Sequence, residues 1–218
     1  MPARTDRTNA KTDAAALEGW CAAVMLKADA VEMPGQKHIR VEAGRDLARL
    51  SIEDDGLARV REVLGRLGII FIVLDHLPGT YLDGAALCRS DGVPIIAMTL
   101  RYDRVDNFWF TLLHEFCHVA RHLNADTRLI VDDLEVKTFD DIEAEADRFA
   151  QDTLISPSIW HRHTSSDLGT EELFEVAKKA EVHPAIVAGR WQREHGDYRR
   201  FSKLLGHGEV RARLPSSA

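Results

Sequence analysis

Residues 106–118 read Asp106-Asn107-Phe108-Trp109-Phe110-Thr111-Leu112-Leu113-His114-Glu115-Phe116-Cys117-His118, and the final five form an H-E-x-x-H run. The surrounding composition is helix-forming, and a helix is expected over about 107–122. Residues four apart share one helical face, so His114 and His118 can aim both imidazoles at a single divalent ion. Glu115 lies on the flank of that face. From there its carboxylate can take a proton from water at the metal's open position, the geometry of a metal-dependent hydrolase. Five residues match by chance on many surface helices, so the run needs a partner elsewhere in the chain.

That partner lies downstream, in Glu143-Ala144-Glu145-Ala146-Asp147-Arg148-Phe149-Ala150. A tetrahedral catalytic site takes three protein ligands and keeps one position open, so two histidines from one helix leave the third ligand to another element. Glu143 can supply it. Asp147, one turn further on, can accept a hydrogen bond from the far nitrogen of a ligand histidine and so fix its tautomer. Glu145 is the competing ligand, but it points about 200° around the helix from Glu143. The bland account of the same residues is a solvated acidic face opposite Ile142, Ala146, Phe149 and Ala150.

Working outward, Ala14 to Ala30 repeats Leu17, Trp20, Cys21, Val24 and Met25 at helical intervals, and Met33-Pro34-Gly35 breaks it. A second helix is expected from Ser51, as cap, through Glu53, Asp54 and Asp55 to Leu67, ended by Gly68. Ile69 to Leu74 reads as a buried strand. Ala85 to Leu100 reads as a hairpin turning at Arg89-Ser90-Asp91-Gly92, with a free edge near the 107–122 helix. Helices return at about Ile142 to Leu154, Thr170 to Ala180 and Pro184 to Arg193. The expected class is α+β, with a small, mainly antiparallel sheet, an active-site helix and further helices. The expected organisation is a flexible arm over 1–13, N-terminal helices over 14–67, a core over 68–160 and a helical extension with a basic tail over 161–218.

Composition narrows the function. The chain has 218 residues, 45% of them hydrophobic, enough for one substantial core. No run of about 18 apolar residues exists and the N-terminus lacks a signal-peptide core, so neither membrane insertion nor export is expected. Three cysteines without a C-x-x-C pair (Cys21, Cys88 and Cys117) argue against a disulfide framework and for a reducing cytoplasm. A net charge of −7 speaks against direct nucleic-acid binding, although the tail from Gly189 is locally basic.

Other residues compete for roles. His122 follows His118 by four and could touch substrate, but lies too far along the axis from His114 for one tetrahedral ion. The ligand set H-E-x-x-H-x-x-G-x-x-H fails, since Arg121 replaces the glycine and Asn124 the last histidine. Cys117 reads as a packed small residue or a thiolate. Tyr102, His161, His163 and Tyr198 are candidates for oxyanion or substrate contacts, with surface placement the bland alternative. Asp132-Asp133-Leu134-Glu135 reads as an acidic loop.

Together, the 106–118 run, the 143–150 run and Ile155-Ser156-Pro157 resemble the ImmA/IrrE family of metallo-endopeptidases. The likeness is strongest to the branch found behind a helix-turn-helix domain in HigA-like antitoxin regulators. It extends from about Trp20 to Arg211, through Leu82-Asp83-Gly84-Ala85, Arg101-Tyr102-Asp103-Arg104 and His183-Pro184-Ala185-Ile186-Val187-Ala188-Gly189-Arg190. The resemblance implies a compact thermolysin-like (gluzincin) fold, His114, His118 and Glu143 as metal ligands, and Glu115 as general base. It also implies a protein substrate, a helix-turn-helix repressor or antitoxin encoded nearby, whose cleavage switches stress-response or mobile-element genes. Many members carry Arg before the Phe-Thr of the active-site helix, where this chain has Trp109, and a smaller residue at Cys117. No helix-turn-helix pattern precedes Trp20, so a stand-alone protease or a separate catalytic half is expected. A His, His, Glu set accepts zinc or manganese, with zinc favoured by affinity. The competing function is a regulatory module that keeps the metal-binding fold but works by binding a toxin, repressor or DNA. A third possibility is hydrolysis of a non-peptide amide.

Overall fold

The strands sort the interior into two layers. β1 (Ile70–Val73), β2 (Gly84–Cys88), β3 (Pro94–Met98) and β4 (Leu129–Val131) form one sheet in the order β1-β3-β2-β4. β1 and β3 are parallel, whereas β2 is antiparallel to both β3 and β4, so the sheet is mainly antiparallel as expected. Successive strand residues face opposite sides. Phe71, Ala86, Ile96 and Met98 therefore enter the larger core, while Ile70, Ile72, Ala85, Leu87, Ile95 and Ala97 enter the smaller one. The computed structural model describes residues 13–33, 39–123, 129–131 and 137–214. Residues 1–12 of the expected arm, the Pro34-Gly35 break and the acidic loop at 132–135 lie outside them.

α1 (Ala14–Asp29) covers the smaller core with Leu17, Trp20, Val24 and Ala28. It starts where Asp13 accepts hydrogen bonds from the N–H groups of Ala15 and Ala16 at 3.0 and 3.2 Å, so Asp13 is a cap rather than part of the arm. The hairpin turn closes the other end: buried Arg89 donates from Nη1 to the carbonyls of Ala28 and Val31, both at 2.8 Å. The larger core takes in α2 (Ala43–Arg49), α3 (Gly56–Leu67), α4 (Val105–Cys117) and the end of α5 (Lys137–Leu154). α6 (Pro157–His163), α7 (Thr170–Ala180), α8 (Pro184–His195) and α9 (Glu209–Arg213) add Trp160, Leu173, Val176, Trp191 and Val210 to that same core. Among the described residues, no helix is long and apolar enough to cross a membrane.

Three local expectations need correction. The helix expected from Ser51 begins only at Gly56, because Leu50–Ile52 closes a 3-10 turn first. A Cβ at Gly56 would lie 1.8 Å from the Leu50 carbonyl oxygen, so this reversal requires glycine. Ser51 is not a cap; its hydroxyl accepts the His183 N–H at 3.0 Å. Second, the hairpin has no free edge over Ala85–Leu87, which pair with β4, while β3 pairs with β1. The sheet's outer strand on that side is β4. Third, the active-site helix does not run evenly to residue 122, since His118–His122 form a wider π turn closed by the Leu123 N–H on the His118 carbonyl at 2.9 Å.

Candidate metal centre

α4 is buried on almost every side, which is unusual for a helix carrying ionisable groups. Phe108, Trp109, Leu112, Leu113 and Phe116 fill the larger core, while His114, Glu115 and His118 are also 1–2% exposed. Such groups remain buried only when partnered. α5 packs against α4 and brings Glu143 and Asp147, one helical turn apart, to the histidines. Glu143 Oε2 lies 3.0 Å from His114 Nε2, Glu143 Oε1 lies 3.2 Å from His118 Nε2, and the two Nε2 atoms are 3.0 Å apart. Asp147 Oδ1 is 3.1 Å from His114 Nδ1.

This arrangement fits a divalent ion. With Nδ1–H of His114 donating to Asp147, its Nε2 presents a lone pair to the carboxylate and to the second imidazole. Two imidazole nitrogens and two carboxylate oxygens facing one another at such distances repel unless a cation lies among them. A tetrahedral ion with ligands at 2.0–2.1 Å sets donor-to-donor spacings of about 3.3 Å. The two Nε2 atoms, 3.0 Å apart, and the distances from each to a Glu143 oxygen, Oε2 at 3.0 Å for His114 and Oε1 at 3.2 Å for His118, are close to that. His114, His118 and Glu143 are also a group whose ligand atoms all fall within 4.8 Å of one another. Glu145, the competing third ligand, turns instead to Arg121 Nη1 at 2.5 Å and His122 Nε2 at 3.4 Å.

Glu115 lies between α4 and the sheet. A Cβ at Gly84 of β2 would come within 2.8 Å of both Glu115 Oε1 and Thr111 Cγ2, so the strand backbone confines the carboxylate. The sequence marked Gly84 only through the resemblance; its contact with Glu115 is non-local and left no periodic signal. Cys117 is fully buried, and burial pushes its thiol up to about 11, which suits packing and not a thiolate. Trp109 meets Phe108 edge-to-face at 5.2 Å in the core.

The remaining candidates separate. His122 does not reach the metal-facing nitrogens; its Nδ1 lies 2.9 Å from His118 Nδ1. Burial lowers the pKa of His122, with the neighbouring His118 adding to the effect. Tyr102 and Tyr198 line a cleft of about 550 Å³ that also touches Asn107, Phe110, Asp147 and Arg193. Arg193 stacks over Phe110 at 4.4 Å. Arg193 was not singled out from the sequence, where an arginine in a basic tail looks like any other. His161 and His163 sit on α6 and do not line that cleft. Much of the basic tail packs internally: Arg190 pairs with Glu194 at 3.0 Å, Arg211 with Asp75 at 2.7 Å and Arg213 with Glu209 at 2.8 Å.

Compared with known families, the chain matches the model Peptidase_M78, described as IrrE N-terminal-like domain, over residues 83–192. No curated protein matches it. The matched span contains β2, β3, α4, β4, α5 and most of α8, and with them all three donor residues and Glu115.

Proposed function

The chain belongs to the Peptidase_M78 family, and from that membership we propose that it is a zinc-dependent endopeptidase acting on a helix-turn-helix repressor or antitoxin encoded nearby. One observation carries the proposal: two histidine Nε2 atoms and the Glu143 carboxylate at tetrahedral spacing, with buried Glu115 adjoining them on α4. Zinc bound there would supply Lewis acidity, polarising a scissile carbonyl and bringing the pKa of water to about 7. Glu115 then accepts the proton of the attacking water and passes it to the leaving amine nitrogen. Gly84 keeps the carboxylate in place for both transfers, and Asp147 holds the His114 ring in the tautomer that leaves Nε2 unprotonated.

An extended substrate segment pairs with the outer edge of β4, the strand that closes off the hairpin, through main-chain hydrogen bonds that demand little of sequence. Docking of the folded partner supplies the rest of the selectivity. The test is to incubate the zinc-loaded protein with the helix-turn-helix protein encoded beside it, with and without chelator, and to look for fragments by mass spectrometry. Defined fragments that disappear with chelator and in Glu115→Gln are expected. Cleavage retained by Glu115→Gln overturns the mechanism, and intact partner in a zinc-loaded sample overturns the substrate.

A further inference from the structure

The two histidines of the metal group are backed differently. His114 Nδ1 meets the carboxylate of Asp147 directly, at 3.1 Å. His118 Nδ1 meets another imidazole, His122 Nδ1, at 2.9 Å, and His122 Nε2 lies 3.4 Å from Glu145 Oε2. The other Glu145 oxygen is held by Arg121 Nη1 at 2.5 Å. The π turn over His118–His122 brings these rings together, with centroids 5.0 Å apart and planes tilted by 56°, and the His122 side chain is only 8% exposed.

From this chain of contacts we propose that His122 and Glu145 are positioning residues, a relay that fixes the tautomer and ring direction of His118; the proposal rests on His118 being a metal ligand. A ligand Nε2 must be unprotonated, so the single proton of neutral His118 sits on Nδ1 and is donated to His122 Nδ1. His122 Nδ1 must then be the acceptor, which places its own proton on Nε2, facing Glu145. An ionised carboxylate only accepts, so the donors can run in one direction. Arg121 donates to the other Glu145 oxygen and so orients the carboxylate. Reversing the chain would put a proton on His118 Nε2, where no cation could bind. Glu145 thus serves the same centre as Asp147 from one residue further away.

The tautomers can be read without substrate. In long-range ¹⁵N–¹H spectra of the full-length zinc-loaded protein, His118 is expected to carry its proton on Nδ1 and His122 on Nε2. A His122 proton on Nδ1 overturns the relay. Zinc affinity, measured by competition with a chromophoric chelator, supplies the second readout. Removing the partner in His122→Leu should weaken binding about 10- to 100-fold, the usual scale for partners of ligand histidines, and should alter the visible spectrum of the cobalt-substituted protein. His122→Asn, whose side-chain oxygen can occupy the place of Nδ1, should recover most of that loss. His122→Gln, which places its acceptor where Nε2 stood, should not. Parent-like zinc affinity and cobalt spectrum in folded His122→Leu would overturn the relay and leave the zinc peptidase proposal standing. A parent protein that binds no zinc would overturn both.

Discussion

Two helices cover the same small sheet from opposite sides, and only one of them buries ionisable groups. α1 lays Leu17, Trp20, Val24 and Ala28 on Ile70, Ile72, Ile95 and Ala97, and its buried residues are all apolar. α4 presents an equally apolar face to Phe71, Ile96 and Met98, yet it also buries Glu115 against the Gly84 strand, His114 toward α5, and His118 in the turn that follows. A helix wrapped in apolar residues on one side only can be replaced by any well-packed amphipathic helix. Burial of ionisable groups on the second side is costly unless they are paired or coordinate a cation. α1 thus bears on stability alone, whereas α4 and the turn after it also bury His114 and His118 of the group that could hold a metal, with Glu115 beside them. Substitutions should therefore separate the two.

The largest expected effect is on the α4 side. His114→Ala removes one of three donors and the group that Asp147 orients, so zinc should be lost at equimolar metal and proteolysis abolished. Metal content of the dialysed protein checks it. Urea unfolding of chelator-treated protein should remain cooperative, since the core residues of α4 are untouched. If His114→Ala kept one zinc per chain, the separation would fail at its centre.

Next comes Trp20→Ala on the α1 side. Trp20 is fully buried, and its indole N–H donates to the Asp75 carbonyl at 3.2 Å. Large-to-small changes of this kind cost about 3–5 kcal/mol. The urea midpoint should fall accordingly, while zinc stoichiometry in the folded protein stays that of the parent. A Trp20→Ala protein that loses zinc before it unfolds would show the two sides to be coupled through the sheet.

These sides were unequally legible in the sequence. α4 and α5 could be read because their signals are local and periodic: His114 and His118 at four-residue spacing, Glu143 and Asp147 at the same spacing on the next helix. The hairpin could be read from Arg89-Ser90-Asp91-Gly92, and Gly68 marked the end of α3. What escaped was set by contacts distant in sequence. α2, seven residues with little apolar pattern of its own, is held by Leu47 and Ala48 in the larger core. β4 is three residues long, and its pairing with Ala85–Leu87 removed the free hairpin edge that local reading supplied. The π turn changed what His122 touches without altering the spacing that drew attention to it.

Gly84→Ala sits where the two sides meet, on the strand between α4 and the smaller core. The added methyl would crowd Glu115 Oε1 at 2.8 Å, so the carboxylate must shift while the donor residues need not. A displacement of about 1 Å at a reacting group costs on the order of 100-fold in rate. The expected outcome is a folded protein with parent-like zinc affinity, stability lowered by about 1–3 kcal/mol because Thr111 is crowded as well, and kcat lowered by that order. Equal loss of zinc would mean that the sheet positions the whole centre and not the base alone.

The smallest expected effect lies back on the α1 side, at the hairpin turn. The Arg89 guanidinium beside Asp91 holds its carboxyl down to about 2, from an ordinary 3.8. A carboxyl lowered by folding stabilises the folded state above its unfolded value, and that contribution disappears as pH falls through the folded value. The Asp91 contribution is thus intact above about pH 4 and lost by about pH 2. The side chain is half exposed, so solvent screens the pair and the effect is small. Asp91→Asn should lower stability slightly at neutral pH and flatten its decline between pH 4 and 2, relative to the parent. Chelator-treated protein should be used, so that acid release of zinc does not enter the comparison. An unchanged slope would mean that Arg89 secures α1 through the Ala28 and Val31 carbonyls alone, with Asp91 contributing nothing to the turn it closes.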